Sequence, residues 1–151
     1  MKHFIVELNQ VIGTLKYFVS EYKKLDSKTP EFLNCPSWIA GHSAFGIYDM
    51  ILRPLGSDFE FPENYHTFFK TGSTRIPESE YPKIEEILET LDKVVNEAKK
   101  LIGNLSGGEI GLPKDLREEG FFSIENLITH TIQDIAYHNG QLSYLVRFLN
   151  K

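Results

Sequence analysis

Four stretches of this chain repeat apolar residues at helical spacing, and that pattern leaves few folds open. The first places Phe4, Leu8, Val11, Leu15, Phe18, Tyr22 and Leu25 along residues 2–25. The second is the apolar run from Trp38 to Leu55, with Pro36 at its first turn and Pro54 and Gly56 at its end. The third carries Ile84, Ile87, Leu88, Leu91, Val94, Val95, Ala98 and Leu101, beginning near Ser79 or Pro82 and stopping at Gly103-Asn104 and Ser106-Gly107-Gly108. The fourth spans about 124–149, with Ser123 as its N-cap and Leu127, Thr131, Leu142, Leu145 and Leu149 on one side. Residues three or four apart share a helix face, so each stretch reads as a helix with an apolar stripe. Such stripes are buried by packing against one another, which predicts an all-α, four-helix bundle.

The connection over 56–77 is long and rich in rings, with Phe59, Phe61, Tyr65, Phe68 and Phe69. A loop of this length is usually functional or well packed. Its rings suggest packing over a bundle end, and its length allows a crossover that leaves the second and third helices parallel. Residues 109–121 read as irregular, with one turn of helix near Asp115. The best strand candidate, Gly108-Glu109-Ile110-Gly111-Leu112, is short.

The 151 residues suffice for one domain with its own core, taken as 1–151. With 41% apolar and 25% charged residues the chain has an ordinary globular composition. A formal net charge of −5 argues against a nucleic-acid partner, which would require basic patches. Lys99 and Lys100 follow Glu85, Glu86 and Glu89 on the same helix and read as a solvated face. Cys35 is the single cysteine, so an intrachain disulfide and a thiolate-rich zinc site are both excluded. It precedes Pro36 where a helix begins, a place where a thiol pKa can fall, although a lone cysteine is more often a small packed hydrophobe. No apolar run reaches the ~18 residues of a membrane span, and Met1-Lys2 leads straight into an amphipathic pattern, so the expectation is a cytoplasmic protein.

Chemistry concentrates in the last helix. Asp134 and His138 are four residues apart and leave the same face, the one that carries the leucine stripe. A carboxylate and an imidazole in an apolar interior are costly unless satisfied, and a divalent metal would satisfy them. His42, in the second helix, is the third candidate ligand. Small residues surround it at 40, 41, 43, 44 and 46, so a neighbouring helix or a ligand could approach closely. Two histidines and one carboxylate leave coordination positions open, as in catalytic sites, and suit Zn²⁺, Ni²⁺, Fe²⁺ or Mn²⁺. His130 also falls on the stripe. It lies eight residues from His138, about 12 Å along the axis, so the two cannot share one ion.

The pair is therefore 130 with 134 or 134 with 138. Gly140 and Gln141 favour the second, the glycine by opening space near the ligand and the glutamine as a polar group behind it. Asp49, seven residues after His42, is a second candidate supporting carboxylate. Asp49 and Gln141 are the candidates for orienting or proton-transfer roles. Tyr137 is a weaker one, because it neighbours His138 and points elsewhere. His66 and His3 read as surface residues. A histidine on an apolar face is more often a hydrogen-bonded core residue than a ligand; the i,i+4 partner and the second helix histidine argue for the ligand.

At these positions the chain resembles the DinB-like superfamily of four-helix bundles, metal-dependent enzymes that include thiol-dependent transferases. That signature is a histidine after a tryptophan-containing helix start, then a late pair of histidines four apart, followed by x-G-Q and an apolar residue. Trp38 and His42 match the first part, and Tyr137-His138-Asn139-Gly140-Gln141-Leu142 matches the end of the second. Leu127-Ile128-Thr129-His130 is similar to the usual run-up, and the likeness covers the whole chain in helix number and order. One position departs: Asp134 stands where the family has the first late histidine. Aspartate ligates metals but reaches less far, which alters the charge and metal preference of the site.

The resemblance implies a divalent metal at His42, Asp134 and His138, and a small-molecule substrate attacked by an activated low-molecular-weight thiol. Metal-assisted hydrolysis fits the same ligands. Related bundles often form homodimers. The competing expectation is a non-catalytic bundle with a degenerate site, acting as a binding or interaction protein.

Overall fold

The computed structural model describes residues 1–25, 27–105 and 111–151. Among these the chain is all-helical, with no strand. It has six α-helices: α1 (Lys2–Lys23), α2 (Pro36–Ile47), α3 (Glu63–Phe69), α4 (Ile84–Asn104), α5 (Lys114–Glu118) and α6 (Ile124–Leu149). Most of the strand candidate at 108–112 lies outside the described residues; Gly111 and Leu112 are not in a strand and lead into α5. No helix among the described residues is long and apolar enough to cross a membrane.

On α1 the buried line is Phe4, Leu8, Ile12, Leu15 and Val19. The expected Val11 and Phe18 are only half-buried beside it. The reason is geometric. A 3.5-residue pattern drifts about 20° per heptad around a straight helix, so its later members turn away from the line that Ile12 and Val19 keep to. On α6 Ser123 caps as expected, its hydroxyl accepting from the Asn126 amide at 3.2 Å. The α4 helix begins at Ile84, later than Ser79 or Pro82, after a 3₁₀ turn at Glu78–Glu80. Glu85 and Glu86 in its first turn complement the helix dipole.

The second helix departs most from expectation. It has no apolar stripe, because it is enclosed on almost every side: Pro36, Ser37, Ile47 and everything from Ile39 to Ala44 are buried. It packs chiefly on α4, and also on α3, α6 and α1. Its run of small residues makes this crowding possible. After Ile47 the helix widens into a π-helical segment, Tyr48–Leu52. Gly56, at φ +71°, donates its N–H to the Arg53 carbonyl and ends the run.

The 56–77 connection is not a loop throughout. Tyr65 and Phe69, one turn apart and buried, anchor the short α3 against α2. The Phe69 ring stacks on Tyr81, and Phe61 stacks on Tyr48 with centroids 4.4 Å apart. The first helix, α1, lies along α6. Asn139 joins them by donating to the Val11 carbonyl at 2.8 Å.

Candidate metal centre

His42 comes from the middle of α2, and Asp134 and His138 from consecutive turns of α6. The contact of these two helices brings the three together, with potential ligand atoms all within 4.8 Å of one another. Both histidines are 6% exposed. His42 Nε2 is 3.4 Å from Asp134 Oδ2, and His138 Nε2 is 3.6 Å from Asp134 Oδ1. Two ligands of a tetrahedral ion with ~2.1 Å bonds lie about 3.4 Å apart, so both separations suit one small cation.

The far side of each ring determines what the near side offers. His42 Nδ1 lies 2.6 Å from the Phe69 carbonyl oxygen. A carbonyl only accepts, so Nδ1 carries the hydrogen, and in the neutral imidazole Nε2 keeps a lone pair. His138 Nδ1 lies 3.0 Å from Gln141 Oε1, which also accepts from Asn34 Nδ2 at 3.3 Å. With the amide oxygen placed to serve both donors, the His138 Nε2 lone pair likewise faces Asp134. With both rings neutral, two imidazole lone pairs and a carboxylate face each other across the cluster.

Burial lowers the His138 pKa, against the raising effects of Gln141 and Asp134, so the ring favours its neutral, metal-ready form. Burial alone would raise Asp134. Its contact with His42 and the fields of the nearby histidines outweigh this and hold it below the usual carboxylate range.

Trp38, one turn before His42, stacks on that ring with centroids 4.5 Å apart and meets His138 edge-on at 5.5 Å. Its indole N–H donates to Ser73 Oγ at 3.0 Å. The indole therefore closes one side of the cluster. On another side a cavity of about 80 Å³ reaches His42 and Asp134. Asp134, with 35% of its side chain exposed, is the most accessible of the three.

Gln141 stands directly behind His138, as its spacing suggested. Asp49 is not behind a histidine: its Oδ1 accepts from Arg53 Nε at 2.8 Å, and the carboxylate lines the cavity. The Phe69 carbonyl holds His42 instead. Of the two pairings left open by the sequence, 134 with 138 is the one that meets His42. His130 is exposed at the cavity rim, its ring against Phe121. Gly140 opens space on the outer surface beside Tyr137 and Gln141, away from the ligands. Tyr137 is 66% exposed. His66 is exposed on α3 among Phe45, Tyr48 and Phe61, and His3 is exposed against Phe4. Cys35 is buried, and burial raises its thiol to about 11, so it is a packed side chain and not an activated one.

Sequence reasoning missed Asn34, the Phe69 carbonyl and the covering role of Trp38. One signal for Phe69 was present, in Gly41. A Cβ there would sit 2.4 Å from the Phe69 ring. Gly41→Ala is therefore expected to cost about 1–3 kcal/mol, as overpacking does, and to loosen metal binding by moving the carbonyl that holds His42. Denaturant unfolding and metal titration of the variant check both effects.

The chain matches no family model and no curated protein.

Proposed function

We propose that this chain is a metal-dependent enzyme built as a DinB-like four-helix bundle, with α1, α2, α4 and α6 as its long helices. One divalent ion would be held by His42 Nε2, Asp134 and His138 Nε2. The observation carrying this reading is the convergence of His42 Nε2, His138 Nε2 and the Asp134 carboxylate, which with neutral rings are three electron-pair donors. A cation satisfies all three at once, whereas a water has two hydrogens for three acceptors.

When bound there, the ion supplies Lewis acidity, lowering the pKa of a water or thiol or polarising a carbonyl. The protein's own part is separate. The Phe69 carbonyl and Gln141 fix the orientation of the two imidazoles, which limits reorganisation on binding. Asp134 offsets one positive charge. Trp38 covers one side and leaves the cavity side for substrate. A small-molecule substrate would reach the ion from this cavity with part of itself outside, and hydrolysis and thiol transfer are the two reaction classes in keeping with such a site. Zn²⁺, Ni²⁺, Fe²⁺ and Mn²⁺ all suit the ligands.

Trp38 makes the test simple, because it is the only tryptophan and stacks on a proposed ligand. Titrating untagged, metal-free protein with Ni²⁺ or Co²⁺ is expected to quench its emission to an endpoint at one equivalent. Quenching that never saturates, with substoichiometric metal by elemental analysis, would point instead to a non-catalytic bundle.

A further inference from the structure

The cavity beside the proposed ligands has an uneven supply of hydrogen-bonding groups. Ser43 Oγ spends its hydrogen on the Ile39 carbonyl at 2.9 Å, and Thr131 Oγ1 spends its own on the Leu127 carbonyl at 2.9 Å. Both side chains are buried, so towards the cavity they show lone pairs only. Asp49 adds a carboxylate. Its counterion Arg53 is shared with Asp115, at 2.9 Å, and does not line the cavity. One guanidinium thus serves two carboxylates. No lysine or arginine is among the lining residues, and Phe45, Met50 and Ile135 contribute apolar surface. The side chains with a donor to spare, Thr71 and His130, are exposed at the rim.

The π-helical segment contributes to this arrangement. Asp49 and Met50 are adjacent in sequence, yet both line the cavity. A widened turn at a ligand site is where such segments are often found. The volume of about 80 Å³ is room for two or three waters, enough for a head group while the rest of a molecule stays outside.

We infer that this cavity selects substrates whose head group donates hydrogen bonds, amines and guanidines above all, and rejects anionic ones. The inference rests on the metal reading and adds the class of substrate. A cationic donor entering here meets Asp49, Ser43 and Thr131 as ready acceptors, in charge-assisted bonds where Asp49 takes part. An anion would lose its hydration to buried hydroxyls that offer only lone pairs, with side-chain donors confined to Thr71 and His130 at the rim.

Three thiols of similar length test it on the Co²⁺-loaded protein at pH 8: 2-mercaptoethylguanidine, 2-mercaptoethanol and 3-mercaptopropionate. Each reports binding by sulfur-to-cobalt charge-transfer absorption. The guanidinium thiol is expected to bind about tenfold more tightly than the carboxylate thiol, with the neutral one between, as one charge-assisted bond gained and one anion excluded would produce. Asp49→Asn should shrink that ratio to about threefold or less. Thr71→Lys, at the exposed rim and away from the core, should narrow or invert it. Equal or tighter binding of 3-mercaptopropionate by the parent protein, or a ratio that both variants leave unchanged, overturns the selectivity while normal cobalt absorption leaves the metal reading standing. Absence of any cobalt absorption from the protein overturns both.

Discussion

On the proposed metal reading, His138→Ala is expected to abolish stoichiometric binding, weakening it by at least about 100-fold, since loss of a direct ligand should exceed the 10–100-fold effect of losing a group behind one. His42→Ala is expected to do the same from the other helix. The two variants matter as a pair, because residues 42 and 138 are far apart in sequence and meet only through packing of α2 on α6. Gln141→Ala is expected to fall in the milder range, because it removes the acceptor of His138 Nδ1 and leaves all three ligands in place. The Trp38 titration reads every variant. Because truncating a buried ring also leaves a cavity, helical circular dichroism and a thermal melt of each variant separate loss of a ligand from loss of fold. Tight one-to-one binding by both alanine variants would end the proposal.

Asp134→Asn should do two opposite things at pH 8. In the metal-free protein the new amide N–H can donate to one of the two facing Nε2 atoms, replacing a clash of acceptors by a bond worth about 1 kcal/mol. The melting temperature should then rise by about 2–4 °C for a domain of this size. The pH matters: His138, lowered by burial, is neutral there and has a lone pair to offer. The same variant should lose stabilisation by metal, which in the parent amounts to about 2.7 kcal/mol at a ligand concentration 100 times Kd. A buried polar cluster kept for binding carries this signature, stability given up in the empty state and recovered in the loaded one. Thermal melts with and without Ni²⁺ measure both halves. If the metal-free variant melts lower than the parent at pH 8, the two lone pairs are not where the hydrogen-bond geometry puts them.

Much of the local structure was legible because it depends on near neighbours. The cap at Ser123, the break at Gly56 and the i,i+4 pairing of Asp134 with His138 each follow from a few consecutive residues. Errors arose where a distant partner decided the outcome. Seven residues are too few to announce α3 as a helix by periodicity; burial of Tyr65 and Phe69 against α2 makes it one. Asp49 was placed behind a histidine by its seven-residue spacing, which assumes an unbroken α-helix. The π-helical turn at Tyr48–Leu52 breaks that assumption, and Arg53, four residues on, takes the carboxylate.

By itself the sequence determined the chemistry available: helices with apolar faces, a carboxylate and an imidazole on one of them, and a second imidazole held among small residues. Periodicity, caps and residue type are local properties, so they can be read along the chain. Tertiary structure alone decided that His42 meets Asp134 and His138 while His130 does not. It also decided that a backbone carbonyl of α3 and an amide of α6 aim the two rings. Those outcomes depend on how helices cross and on which atoms lack a hydrogen after packing, quantities that exist only once the chain has closed on itself.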